Sequence, residues 1–320
     1  MTQASSRQLG ALGFCAFSVP AVLLLPRVGW LWASIAAAIV AALLLLSFSL
    51  AGKNLLPPAQ TAAQLPLGKV LLCLALLWNL LLLGATAAQL CDAFPDGKDT
   101  PLVGLLLLLL AAYGAKHGRS PRVAAILFFF LLGLYGLLFG FSLTELRINY
   151  LAPQGQISPV PLVAALAPMC LIYLHRGGGK GNILWCIGGI LLAFLAALMT
   201  AGILSPAVAR GKEFALYEAA KGVSIFGVIG RLEPLVSAAV SLGGFALLSL
   251  ICAANGALLN ALLPQKKIHL FSVNFFPGAA GIWLAGLLPG SWIALGTTIF
   301  WGLFPVGTLL LGVRKKVKKI

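Results

Sequence analysis

The sequence predicts an all-α integral membrane bundle of about ten spans, and three observations point to it. Hydrophobic residues fill 61% of the 320 positions and charged residues only 9%, with a mean hydropathy of +1.03, more apolar surface than a soluble core can bury. Apolar runs of about 20 residues, separated by Pro, Gly and charge, recur along the chain. The charges gather in the connections between those runs, and basic and acidic connections alternate.

The first span is 8–26, Q-L-G-A-L-G-F-C-A-F-S-V-P-A-V-L-L-L-P. With a single nearby Arg and no small-residue cleavage motif, it reads as a retained span and not as a signal peptide. Pro20 at its middle lacks the N–H that would close a helical turn and crowds the turn before it, so a kink or unwinding is expected near Phe17, Ser18 and Val19. An ordinary proline kink in a packed span is the plain reading. A broken helix with main-chain groups facing a small-molecule site is the functional one.

The second span, 30–50, follows the tight turn Arg27-Val28-Gly29, and a polar connection bearing Pro57, Pro58 and Pro66 comes next. The third and fourth spans are 68–91 and 100–115. Ser120-Pro121, an N-cap followed by proline at the first helical position, opens the fifth, which ends near Leu143. Its Gly136 and Gly140, spaced G-x-x-x-G, read as a close-packing face. Ser158-Pro159 opens the short sixth, which stops at Tyr173 and carries Pro161 and Pro168. The seventh to tenth spans are 183–204, 234–263, 269–288 and 291–313, the eighth long enough to tilt or project from the bilayer.

With the amino terminus in the cytoplasm, 15 of the 22 basic residues fall on the inner side and all seven acidic residues on the outer side, where seven basic residues balance them. An odd span count would scramble that segregation, so both termini are expected to be cytoplasmic. The basic tail 314–320 reads as an inner anchor that also attracts anionic lipid. The outer loop 205–230 mixes Phe214, Leu216, Tyr217 and Ile225 with small residues and is expected to form one or two short helices over the bundle.

Pro168 stands at the depth in the sixth span that Pro20 occupies in the first, five spans apart. Such paired interruptions point to an inverted repeat, here about 7–143 and 158–313 in one transmembrane domain, with a site between the halves. No Asp, Glu, Lys, Arg or His lies in the interior of any expected span, and every such group is near a water interface, which disfavours proton coupling through a buried charge. A ligand would be held by backbone, hydroxyl, amide and aromatic groups. The expected contacts are Phe17, Ser18 and Val19 on the first span, Trp78 and Asn79 on the third, Ala167 and Pro168 on the sixth, and Ser241 and Phe245 on the eighth. Pro20, Arg231 and Glu233 are expected in structural or gating roles.

Other classes find little support. Six cysteines lie in or beside apolar runs without C-x-x-C spacing, and three histidines fall in separate loops or span ends, so no metal or other cofactor is expected. The net charge of +15 follows membrane orientation and not a nucleic-acid groove. The glycine run Gly177-Gly178-Gly179-Lys180-Gly181 has no preceding strand and no Ser or Thr after its lysine, as a phosphate cradle would need. No nucleophile, base and oxyanion set argues for an enzyme.

Several stretches resemble the B subunits of spore germinant receptors, the GerAB-type family of the amino acid/polyamine/organocation (APC) superfamily. They are S-S-R-Q-L-G-A-L at 5–12, Thr100-Pro101 with A-A-Y-G-A-K-H-G-R-S-P-R-V-A-A-I-L at 111–127, and N-Y-L-A-P at 149–153. The most specific is I-L-W at 183–185, T-A-G-I-L-S-P at 200–206 and F-G-V-I-G-R-L-E at 226–233. The chain departs from the family in R-V-G-W-L-W at 27–32, which lacks an acidic residue, and in A-L-A-P-M-C at 165–170.

The resemblance implies a LeuT/APC-like five-plus-five inverted repeat with helices 1 and 6 broken. It also implies a small nutrient germinant, with amino acids the expected class, partner A and C subunits, and the spore inner membrane. An amino-acid permease of the same superfamily is the alternative, and a scaffold that binds no ligand is a third.

Overall fold

The computed structural model describes residues 6–23, 58–65, 67–92, 101–151, 180–212, 214–223, 232–264, 269–304 and 307–308, with isolated helical positions at 31, 35, 36 and 39. Among them the chain is all-helical, with no strand. In order come α1 (Ser6–Leu23), α2 (Pro58–Ala63), α3 (Gly68–Asp92), α4 (Leu102–Lys116), α5 (Ser120–Ser142), α6 (Lys180–Leu204), α7 (Pro206–Gly211), α8 (Ala215–Lys221), α9 (Glu233–Leu262), α10 (Leu270–Ala285) and α11 (Gly290–Thr297). The last continues as a π-helical turn, Thr298–Leu303. The expected second and sixth spans lie outside the described residues, apart from those isolated positions.

Three helices are long and apolar enough to cross a bilayer: Gly68–Cys91, Ser120–Glu145 and Glu233–Leu262. A hydrocarbon core of about 30 Å takes about 20 helical residues, and α9 with 30 residues exceeds it. Shorter apolar helices run over Arg7–Leu23, Leu102–Lys116, Leu191–Leu204, Leu270–Leu284 and Ser291–Leu303. The chain is therefore built for a membrane.

Two helices form the centre. α1 is buried from Leu9 to Leu23 apart from Gly13, and α9 is buried over most of its length. α1 packs against α5, α6 and α9, while α9 also packs against α3, α4 and α5, and α10 lies along α3. Because lipid tails are as apolar as leucine, such helices adhere through close packing at small residues. Gly84 of α3 and Gly281 of α10 meet backbone to backbone, so a methyl group at Gly84 would run into the Gly281 main chain. Adjacent glycines of α9 serve two neighbours: Gly243 faces Ser18 and Val19 of α1, and Gly244 faces Leu90 of α3. α9 thus wedges between α1 and α3.

The structure revises two expectations here. α1 is a continuous α-helix through Pro20, so the unwinding expected around Phe17, Ser18 and Val19 does not occur. Proline removes one ladder hydrogen bond, leaving the Ala16 carbonyl without its usual donor, but tight packing holds the turns on either side. Gly136 and Gly140 form no close-packing face with any of the described residues. With Gly133 they sit on the exposed side of α5, with nothing among the described residues near enough to meet an added Cβ, beside exposed Phe129 and Phe130.

The loop after α6 does form two short helices. α8 buries Ala215, Leu216, Ala219 and Ala220 and packs on α6 and α9, and the Leu232 N–H donates to the Ala220 carbonyl at 3.1 Å, tying the cap to the start of α9. Across from it, the Arg147 N–H donates to the Gly202 carbonyl at 2.9 Å and docks the loop after α5 on the end of α6. The Arg147 guanidinium lies over the Tyr150 ring and donates to its hydroxyl at 3.0 Å.

Candidate functional site

The mid-depth turn of α1 is where three helices converge. Phe17 packs its ring against Gly189 of α6, where an added Cβ would stand 2.8 Å from Phe17 Cδ1. Ser18 is fully buried and donates its hydroxyl proton to the Cys15 carbonyl at 2.6 Å, one turn back. Its oxygen then faces Gly243, where an added Cβ would come within 2.5 Å of Ser18 Oγ and 2.9 Å of Val19 Cγ2. Cys15 Sγ reaches the Ala124 carbonyl of α5 at 3.6 Å.

Tyr135 of α5 completes the cluster. Its side chain is buried beside Ser18 and Cys15, yet its hydroxyl closes no hydrogen bond of acceptable geometry among the described residues. An unpaired polar group at this depth is costly, on the order of 1–3 kcal/mol, unless a ligand or water completes it. The turn therefore offers Ser18 Oγ lone pairs beside the Tyr135 hydroxyl, while the Ala16 carbonyl that Pro20 leaves without a helical donor lies on another face of α1. The two hydroxyls can accept from a donor-bearing head group and donate to an acceptor.

Not every expected contact shares this place. Ser241 donates to the Ser237 carbonyl of its own helix at 2.8 Å. Ser241 and Phe245 each lie two residues from Gly243, about 200° around α9, so neither is on the seam that meets α1. Gly243 holds the position expected of them. Trp78 and Asn79 face the π-helical turn after α11 instead of α1. Asn79 Oδ1 accepts from Trp301 Nε1 at 2.7 Å, and the Trp78 ring stacks on Phe300 at 5.8 Å. Ala167, Pro168 and Arg231 lie outside the described residues. Glu233 is buried in the first turn of α9, where the positive end of the helix suits it, and Lys221 is a neighbouring charge.

Tyr135 and Gly243 are the residues the sequence reading missed. The tyrosine did carry a signal, as a lone hydroxyl in the middle of a span made of Leu, Phe and Gly. Elsewhere in the bundle, Asn255 Nδ2 donates to Asn274 Oδ1 at 2.8 Å, joining α9 to α10. Among the described residues no three His, Cys, Asp or Glu side chains come together. No protein-family model matches the chain, and no curated protein is significantly similar to it, so its own residues carry the functional reading.

Proposed function

We propose that this chain is a ligand-sensing membrane subunit of the germinant-receptor B type, binding an amino acid at the Ser18–Tyr135 turn. The observation that carries the reading is the buried Tyr135 hydroxyl, which has no hydrogen bond of good geometry among the described residues and lies beside Ser18, on a helix that proline deprives of one donor. An amino acid fits the chemistry of that turn. Its ammonium group matches the Ser18 oxygen, and its carboxylate matches the Tyr135 hydroxyl.

In this reading the bundle has ten spans in two inverted repeats and both termini are cytoplasmic. Binding favours one arrangement of α1 against α9 and passes the shift to A and C subunits in the spore inner membrane. The separation of basic and acidic connections supports the topology, and the sequence resemblance supports the partners. The test is ligand-dependent stabilisation of the purified chain across the amino acids, with co-purification of A and C subunits. Uptake of labelled amino acids into proteoliposomes by the chain alone would make it a carrier instead.

A further inference from the structure

The side of α3 that carries Trp78 and Asn79 has a chemistry the Ser18 turn does not share. Asn79 is 1% exposed, and the bond from Trp301 fixes its amide so that Oδ1 is occupied and Nδ2 is left as a buried donor with no partner among the described residues. Trp78 Nε1, on the neighbouring residue, is a second buried donor without a partner. The wall opposite is the π turn Thr298–Leu303, whose Phe300 stacks on Trp78 and whose Trp301 holds Asn79.

The π turn has a local cause. Thr297 and Thr298 send their hydroxyls back to the Ile293 and Ala294 carbonyls at 2.7 and 2.9 Å, loosening the ladder just before it. Single π turns inside α-helices concentrate at functional sites. The protons of those two hydroxyls are thereby used, so the buried donors left without a partner among the described residues are the two N–H groups, Asn79 Nδ2 and Trp78 Nε1. Neither 70–91 nor 290–304 contains a charged residue, so nothing offsets the burial of a charged ligand.

We propose that Trp78, Asn79 and the π turn form a second binding site, for an uncharged molecule that presents a carbonyl oxygen to the two donors and a flat apolar body to the aromatic wall. The site goes beyond the amino-acid reading. α1 is not among the helices α3 packs broadly against, and the two sites use different residues.

The test is nuclear magnetic resonance of the full chain in nanodiscs, with 15N-labelled tryptophan and asparagine side chains. Acetophenone is the probe, and ethylbenzene, its counterpart without the oxygen, is the control. The Trp78 indole and Asn79 amide resonances, assigned with Trp78→Phe and Asn79→Asp, should shift saturably with acetophenone, at least five times further than with ethylbenzene, and equally in Tyr135→Phe. Equal shifts with both probes, or none, would overturn the proposal. Loss of the shift in Tyr135→Phe would also overturn it by assigning the response to the first site. If either assignment variant fails to fold, sequential labelling of Trp78-Asn79 in the wild-type chain gives the same assignment.

Discussion

Gly243 of α9 stands so close to Ser18 of α1 that a Cβ placed on it would lie 2.5 Å from Ser18 Oγ and 3.2 Å from the Cys15 carbonyl oxygen. The Ser18 hydroxyl can rotate away, but Val19 is β-branched and stiff, and the Cys15 carbonyl is main chain. Gly243→Ala should therefore destabilise the bundle by about 1–3 kcal/mol and weaken any amino-acid response, both read from thermal melts with and without ligand.

The contact of Gly84 with Gly281 is less forgiving, since main chain meets main chain. Gly84→Ala should cost about 3 kcal/mol or more, and Gly133→Ala on the open side of α5 should cost nothing measurable or stabilise slightly through helix propensity. Comparing the melting temperatures of the two variants checks the packing of α3 on α10 without reference to any ligand.

Ser205 joins α6 to α7 with φ of 69° and ψ of 151°, a conformation reached at little cost only by glycine. Ser205→Gly should raise stability by about 1 kcal/mol, measured as a higher melting temperature. A decrease would mean that the serine side chain supports the turn.

The absence of Asp, Glu, Lys, Arg and His from the interiors of the expected spans makes a pH prediction. Amino-acid stabilisation should be flat from about pH 5 to 9, since no interior carboxylate, amine or imidazole is there to titrate. On the short helix α8, the hydrogen bond to Glu218 holds the Lys221 ammonium above the ordinary lysine value of 10.5. Its stabilisation is therefore complete below that value and lost only as the pH rises through the raised one. Lys221 is exposed, so the alkaline loss should be small. A binding profile with a midpoint near pH 6 or 7 would contradict this.

How far the sequence could be read follows from how membrane helices differ from soluble ones. The described span limits follow the apolar runs closely, because bilayer thickness dictates run length: α3, α5 and α9 begin and end within about a turn of the expected positions. Facing was not legible. Helices apolar all round give no stripe to show which side meets a neighbour, so Ser241 and Phe245 were expected where Gly243 stands. Trp78 and Asn79 were expected to line one ligand site with α1, although their partners, Phe300 and Trp301, lie more than 200 residues along the chain. The break expected at Pro20 failed because one missing hydrogen bond is a small loss beside the packing on every side of α1. A proline marks where a helix is weakened, and the neighbours decide whether it opens.

The central claim is that the Tyr135 hydroxyl is kept for a ligand. Its decisive measurement is the melting temperature of the purified chain and of Tyr135→Phe, with and without each amino acid. Removing an unpartnered hydroxyl should leave the ligand-free protein as stable as before, or more stable by about 1 kcal/mol, while abolishing the stabilisation that at least one amino acid gives the wild type. Equal stabilisation of both proteins, or of neither by any amino acid, would contradict the account.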